Sequence, residues 1–227
     1  MIIQQIRNAT LKIEYNGFSF FIDPWLQDQG TGFSAKAVKP EMQGIKCPIN
    51  ALPDNPENIV RSVDYCLVTH LHFDHFSPDY LPKDLKIIAQ NHEDVEKISQ
   101  MGFENVAVFE SELLTIGDVV SHKTKAIHGD SDEVVRRMGK VCGYVFEAPN
   151  EKCLYLAADT IYCPEVKQTI RKYHPEAIIL NCCEATTPLG RCRKSLSGCA
   201  TGHSDCISSG QCQSRFANAK GDHCVCE

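Results

Sequence analysis

Residues 65–75 read Tyr-Cys-Leu-Val-Thr-His-Leu-His-Phe-Asp-His, and this stretch decides both the fold and the chemistry predicted for the 227-residue chain. Its first part is a short apolar run, typical of a buried strand, and it leads directly into an H-x-H-x-D-H cluster. Because side chains alternate along a strand, His70 and His72 can point the same way and share one ion. Asp74 and His75 lie in the loop beyond and can turn toward a second position. Imidazole and carboxylate groups suit zinc and related divalent ions, so the stretch predicts a metal site.

Two later residues, His128 and Asp159, also directly follow predicted strands, as the histidine cluster does. His128 follows a strand predicted over residues 119–127, and Asp159 follows a strand that ends at Ala157. Taken singly, each would be an ordinary polar loop or turn residue. Ligand sites commonly assemble where strand ends converge, so we expect both side chains to join the histidine cluster.

The pattern around these residues is that of an α/β protein. Residues 11–15 and 18–23 predict a hairpin around Asn16-Gly17, because this dipeptide favours the positive φ angles of a type I′ turn. Residues 25–60 have no sustained period and predict a long functional loop, such as a wall or lid of a site, which we favour over a disordered insertion. Further strands are predicted at residues 86–90, 106–109, 141–147, 152–157 and 177–181, and helices are predicted after Asn91 and from Pro164.

Together, Ile22-Asp23-Pro24, the H-x-H-x-D-H cluster, His128 and Asp159 resemble the metallo-β-lactamase superfamily over roughly residues 1–190. The closest resemblance is to the branch that contains L-ascorbate-6-phosphate lactonase. The resemblance implies an αββα sandwich with metals at one edge between two sheets. It also implies the ligands: His70, His72 and His128 for the first metal, Asp74 and His75 for the second, and Asp159 bridging both. His72 stands where the flavodiiron branch has Glu, which disfavours an oxygen-reducing di-iron centre.

The activity implied by this resemblance is metal-dependent hydrolysis. One or two divalent ions are expected, with zinc favoured over manganese or iron, and a bound ion lowers the pKa of its water to about 7. Asp74 would be the catalytic residue that orients this water. The expected substrate is a lactone, ester, amide or phosphoester of a small anionic metabolite. Asp23 and Thr69 are either residues that orient the ligand imidazoles or ordinary turn and strand-end residues.

Composition limits the other function classes. The chain has 23 Lys and Arg against 29 Asp and Glu, a net charge of −6, so a nuclease of the same superfamily is disfavoured and no nucleic-acid partner is expected. No stretch approaches the roughly 20 apolar residues of a membrane span, and the start lacks a secretory signal pattern. We therefore expect a cytoplasmic protein with no membrane partner. A basic cluster at Arg136, Arg137 and Lys140 is either a contact for an anionic substrate or, as we favour, a solvated charged turn.

The pattern changes near Arg191. Residues 192–227 hold six Cys and six Ser, with Leu196, Ile207 and Val225 as their Leu, Ile and Val residues. We interpret residues 1–190 as the hydrolase domain and residues 191–227 as an irregular tail outside the core. The abrupt change suggests an altered reading frame, which the coding DNA would test: another frame past codon 191 should encode an apolar-patterned segment ending in His.

The same tail raises an alternative function. The superfamily closes with a final histidine ligand, and here His203 and His223 follow no recognisable strand. A non-catalytic or redox-responsive metal-binding protein with an incomplete second site is therefore the alternative. The tail cysteines lack the C-x₂-C spacing of most structural zinc sites. Cys182 and Cys183, at the end of a predicted strand, are interpreted as small apolar fillers.

Overall fold

Two six-stranded mixed sheets organise the chain, one in each of two units, Met1–Glu110 and Ser111–Glu227. The computed structural model describes residues 1–32 and 44–181, and the backbone of residues 186–187, 190–191 and 205–209. No helix in these described parts is long and apolar enough to cross a bilayer.

The sheet of the first unit follows chain order from one edge to the other. The first three strands are antiparallel, and the last three continue parallel to β3. Its strands are β1 (Ile2–Arg7), β2 (Thr10–Tyr15), β3 (Phe18–Ile22), β4 (Tyr65–Val68), β5 (Ile87–Ala89) and β6 (Val106–Val108), and its helices are α1 (Pro56–Val60) and α2 (His92–Gln100).

Local sequence explains most of this unit. Asn16 and Gly17 take φ values of 47° and 82°, so the predicted hairpin turn is present between β2 and β3. The Asn91 side chain caps α2 by accepting from the Asp94 backbone N–H at 2.9 Å. The loop predicted for residues 25–60 was wrong at its end, where the Asn55 cap and Pro56 begin α1.

The core of this unit lies under the parallel strands. Phe21, Cys66 and Val68 pack with Leu26 from the segment after β3 and with Ile98 from α2. All five side chains are fully buried. The end of β4, where the histidine cluster begins, is therefore supported by packed apolar side chains.

The second unit has the strand order β14-β11-β10-β9-β8-β7, with one helix before β9 and one before β11. Its elements are β7 (Leu113–Ile116), β8 (Val119–Lys125), α3 (Asp132–Met138), β9 (Cys142–Glu147), β10 (Leu154–Leu156), α4 (Pro164–Tyr173), β11 (Ala177–Asn181) and β14 (Asp205–Ser209). Two short strands, β12 (Thr186–Thr187) and β13 (Gly190–Arg191), pair with each other.

Two features of this unit differ from the sequence predictions. The charged turn expected around Arg136 and Arg137 is helix α3, which Ser131 caps by accepting from the Val134 N–H. Arg137 binds Glu133 one turn earlier at 3.0 Å, with both side chains exposed.

The second difference is strand β14, which lies within the segment predicted to be an irregular tail. It pairs in parallel with β11, with Ile207 opposite Ile179. A strand at a sheet edge is held by backbone hydrogen bonds, so its pairing does not require an apolar sequence pattern. The rest of residues 192–227, including His203 and His223, lies outside the described residues.

Candidate metal centre

Neighbouring strands of the first unit bring Asp23 to the histidine cluster. β3 and β4 are parallel, with Ile22 opposite Leu67, so Asp23 and Thr69 follow at the same edge of the sheet. The Asp23 N–H donates to the Leu67 carbonyl at 3.1 Å, and Asp23 has a φ of 45°. A non-glycine residue in this left-handed region is uncommon, and here it directs the carboxylate toward the end of β4.

The Asp23 carboxylate is fully buried and accepts three hydrogen bonds. Thr69 donates to it from its backbone N–H and its hydroxyl, each at 2.7 Å, and His75 Nδ1 lies at 2.8 Å. Burial raises the pKa of Asp23 above its usual value, while the charge of His75 and the bonds from His75 and Thr69 lower it in part. The geometry resolves the alternatives left open by the sequence, because Asp23 contacts a cluster imidazole directly.

These bonds determine which ring nitrogens point away from Asp23. In the neutral form of His75, which is the form that binds metals, Nδ1 donates its proton to Asp23 and Nε2 carries the lone pair. The Thr69 hydroxyl donates to Asp23 and therefore accepts from His70 Nδ1, at 3.0 Å. His70 is then also left with a lone pair on Nε2. Histidines that bind metals are held in this way, with the second nitrogen donating to a fixed partner.

The donor set fits a divalent metal. His70 Nε2 lies 3.0 Å from His72 Nδ1, and the ligand atoms of Asp23, His70 and His75 all lie within 4.8 Å of one another. Two ligand atoms bound tetrahedrally at about 2.0 Å are about 3.3 Å apart, so the His70–His72 separation is close to that of shared ligands. His70 and His75 are buried, and His72 is half-buried.

Asp74 and Phe73 lie on the open side of the same loop. Asp74 is half-buried and is not part of the group formed by Asp23, His70 and His75. Its charge adds to burial in raising the pKa of Cys47. The Phe73 ring is 54% exposed and packs edge-on against Trp25, with ring centroids 6.5 Å apart. An exposed apolar ring therefore precedes the half-buried Asp74 in this loop.

The second unit brings His128 and Asp159 together. The loops after β8 and β10 are joined by hydrogen bonds from the Ile161 N–H to the Ile127 carbonyl and from the Ile127 N–H to Thr160 Oγ1, both at 2.9 Å. His128 Nε2 then lies 3.3 Å from Asp159 Oδ2, and both side chains are buried. This separation also suits two ligands of one ion.

Asn181 is a site residue that the sequence analysis did not identify. It ends β11, is 6% exposed, and donates from Nδ2 to Asp159 Oδ1 at 2.7 Å. The signal was present, because Asn181 is the polar residue that ends an otherwise apolar strand, and His128 and Asp159 also lie close to the ends of strands. The strand-end rule used for those two residues would have found it.

The thiols of Cys66 and Cys153 are weak candidates for metal ligands or nucleophiles. Burial raises the pKa of Cys66 well above its usual value, and burial together with Glu147 and Glu176 raises that of Cys153 to about 12. The thiolate is the form that binds metals and attacks electrophiles, so these side chains are poor at both. Cys182 and Cys183 lie outside the described residues.

The sequence of this chain is similar to a known protein family and to two proteins of that kind. The family model of the beta-lactamase superfamily domain matches residues 3–184. The UPF0173 protein YddR of Bacillus subtilis is 40% identical over 186 residues, 80% of this chain and 71% of that protein. A UPF0173 metal-dependent hydrolase of Koribacter versatilis is 29% identical over 192 residues, 78% of this chain and 70% of that protein.

Solved structures give a matching result. An isothiocyanate hydrolase from Delia radicum gut bacteria superposes with a TM-score of 0.83 and 28% identity, over 91% of this chain and 84% of that one. A protein from Veillonella parvula superposes with the same TM-score and 26% identity, again over 91% and 84% of the two chains.

Proposed function

Since this chain belongs to the beta-lactamase superfamily, we propose that it is a hydrolase that acts on a small molecule at a site of two divalent metal ions. The metallo-β-lactamase fold predicted from the resemblance is confirmed by the family match and by two superpositions with TM-scores of 0.83. None of the relatives described above bears the name of an ascorbate-6-phosphate lactonase, so that branch remains a prediction. The observation that carries the proposal is the buried group of His70 and His75, oriented by Asp23.

The proposed ligands are those expected from the sequence. His70, His72 and His128 would hold the first ion, Asp74 and His75 would contribute to the second, and Asp159 would contribute to both. The support is the donor chemistry and the spacing within each unit: 3.0 Å between His70 and His72, and 3.3 Å between His128 and Asp159. Zinc is the favoured metal because imidazole and carboxylate are its usual ligands besides thiolate. When bound, such ions supply hydroxide at neutral pH and stabilise negative charge on the substrate.

The chain's own residues perform three tasks in this scheme. Asp23 and Thr69 fix the tautomers of His70 and His75, so that both rings present Nε2. Asp74, half-buried on the loop, holds and orients the attacking water and accepts its proton. Phe73 offers an apolar surface beside that carboxylate.

The exposed Phe73 ring favours a substrate with an apolar group next to its reacting carbon. The relative that hydrolyses isothiocyanates, at 28% identity, adds a concrete candidate to the lactones, esters and phosphoesters predicted above. In that reaction water adds to the central carbon of R–N=C=S, the C–N bond breaks, and R–NH₂ and carbonyl sulfide leave. We therefore place small apolar isothiocyanates and lactones ahead of anionic phosphoesters.

A substrate panel on purified protein of known metal content tests this proposal. Benzyl isothiocyanate, a γ-lactone, a p-nitrophenyl ester and a phosphodiester are each incubated with wild type and with Asp74→Asn, and uncatalysed hydrolysis is subtracted. We expect turnover of at least one carbon electrophile by wild type, and a loss of at least about a hundredfold in Asp74→Asn. Two ions per chain without turnover of any of the four would contradict the proposal.

The same preparation tests the non-catalytic alternative. A redox-responsive metal protein would lose its metal when its thiols are alkylated. The raised pKa values of Cys47, Cys66 and Cys153 do not favour thiolate ligands in the described parts of the chain. Metal content that survives alkylation therefore supports the hydrolase.

A further inference from the structure

We propose that Asn181 is a positioning residue for the Asp159 carboxylate. Its amide holds one carboxylate oxygen and thereby keeps the other turned toward His128, where it serves as a metal ligand. This inference rests on the proposed function, because Asp159 has this role only if the site binds metal.

The two oxygens of Asp159 have different neighbours. Oδ1 accepts from Asn181 Nδ2 at 2.7 Å, and Oδ2 lies 3.3 Å from His128 Nε2. All three side chains are nearly fully buried, with exposures of 3 to 6%. The Asn181 amide would have to rotate by half a turn before its oxygen, which only accepts hydrogen bonds, faced Asp159 in place of its NH₂ group. The contact with Nδ2 therefore makes Oδ1 of Asp159 different from Oδ2.

The backbone around Asp159 is already fixed by other contacts. Ala158 has a φ of 56°, in the left-handed region. The next residue, Thr160, accepts from the Ile127 N–H at 2.9 Å and donates to the Ile161 carbonyl at 3.0 Å. Rotation of the carboxylate about χ2 is a torsion with a broad energy well, so its orientation depends on the hydrogen bonds that the two oxygens make. Asn181 acts on that torsion.

The chemistry of the amide suits this role. A lysine or arginine at this place would neutralise the carboxylate and reduce its attraction for a cation. The neutral amide of Asn181 donates a hydrogen bond to Asp159 while leaving its negative charge in place.

A purely structural role would predict a different result. In that case the Asn181–Asp159 bond only satisfies two buried polar groups, and its loss lowers stability alone. The chain offers a matched control: Gln90 Nε2 donates to Asp94 Oδ2 at 2.9 Å, also between buried side chains. Gln90→Leu removes the same kind of bond between two side chains that are not proposed ligands.

The test is a cobalt(II) titration of the metal-free, full-length chain, followed by its visible absorption. We expect Asn181→Leu to bind cobalt ten- to a hundredfold more weakly than wild type, with an altered visible spectrum. Gln90→Leu should be less stable but should keep the wild-type affinity and spectrum. Wild-type affinity and spectrum in Asn181→Leu would overturn the inference.

Two further results keep the inference testable if Asn181→Leu does not fold. Asn181→Ser, too short to reach Asp159, should weaken cobalt binding in the same direction, and unchanged binding would overturn the inference. In a crystal structure of zinc-loaded wild type, Asn181 Nδ2 should remain within hydrogen-bond distance of Asp159, and an amide turned away would also overturn it. Wild type that takes up no cobalt would overturn the proposed function as well, so the two failures are distinguishable.

Discussion

The carboxylate of Asp23 accepts three hydrogen bonds beside the histidine cluster. It fixes the His75 ring directly and the His70 ring through the Thr69 hydroxyl. Both the burial of this acidic group and its positive φ angle lower the stability of the fold. Such a cost is usually retained where the geometry serves a function.

Asp23→Asn should therefore weaken metal binding more than folding. Asp23 uses both carboxylate oxygens to accept from Thr69 and His75, whereas an asparagine side chain has only one accepting oxygen. The His75 tautomer is therefore no longer fixed. We expect a ten- to hundredfold loss of zinc affinity in a competition titration. Asp64→Asn is the control, because Asp64 accepts from the Ser19 N–H at 2.8 Å away from the cluster. Equal zinc affinities in the two variants would contradict this role of Asp23.

His72→Ala should remove a ligand of the first ion with little loss of folded content. The side chain is half-buried on a loop, while the core beneath is packed separately. Elemental analysis should show about one ion fewer per chain than wild type. His92→Ala provides the comparison, since the His92 side chain is 77% exposed on α2. Wild-type metal content in His72→Ala would refute the ligand assignment.

Cys153 should react slowly with alkylating reagents in the folded protein. Burial first, and then Glu147 and Glu176, raise its pKa to about 12. At pH 8 its reaction with iodoacetamide should be about a thousandfold slower than in the unfolded chain, where a thiol has a pKa near 8.5. Peptide mass spectrometry measures the rate, and Glu176→Gln should increase it. Equal rates for folded and unfolded chains would show that the thiol is not protected.

The raised pKa of Cys153 also predicts how the free energy of unfolding changes with pH. Between about pH 8.5 and pH 12 the unfolded chain has lost the Cys153 proton while the folded chain retains it. The folded state then binds more protons than the unfolded state. This contribution to the free energy of unfolding is fully present below about pH 8.5 and is lost as the pH rises toward 12.

At the level of elements, Gly143 is the position where β8, β9 and β10 tolerate no side chain. A Cβ there would lie 2.5 Å from the Leu156 carbonyl oxygen and 2.7 Å from Thr124 Oγ1. Gly143→Ala should lower the free energy of unfolding by about 3 kcal/mol in urea denaturation, because the neighbouring strand must move. Gly17→Ala is the control of equal size: its φ is 82° with no atom within 4 Å, so about 1 kcal/mol is expected. Similar losses in both variants would contradict this explanation.

Elements encoded by a few adjacent residues were predicted from the sequence. The hairpin at Asn16-Gly17 and helix α2 after Asn91 are present because a turn and a cap act over three or four residues. Helix α3 was missed because Arg136 and Arg137 were considered for their charge, while the cap at Ser131 was not considered. Strand β14 was missed because backbone pairing with β11 leaves no signal in side-chain pattern.

In the candidate site too, features encoded by adjacent residues were predicted, and features that depend on distant residues were harder to predict. The H-x-H-x-D-H cluster is local, so His70, His72 and His75 were recognised from their spacing. The contact of His128 with Asp159 joins residues 31 positions apart and was anticipated only because both follow strands. The pairing of Asn181 with Asp159 depends on the parallel register of β10 and β11, which no local pattern encodes.

At the scale of the whole molecule, metal should stabilise the fold by binding only the native state. At a free zinc concentration of 100 times the dissociation constant, the stabilisation is about 2.7 kcal/mol. For a chain of this size, that corresponds to a rise in melting temperature of roughly 5–10 °C, measurable by circular dichroism. Chelator should reverse the rise in wild type and have a smaller effect in His72→Ala. An unchanged melting temperature after chelation would argue against metal binding to the native state.

The outer position of β14 has a consequence for how this fold changes during evolution. The family match ends at residue 184, yet residues 205–209 still complete the second sheet beside β11. The outermost place in a sheet requires from its occupant mainly an extended main chain. Residues 205–209 can therefore accept many substitutions without losing their place beside β11.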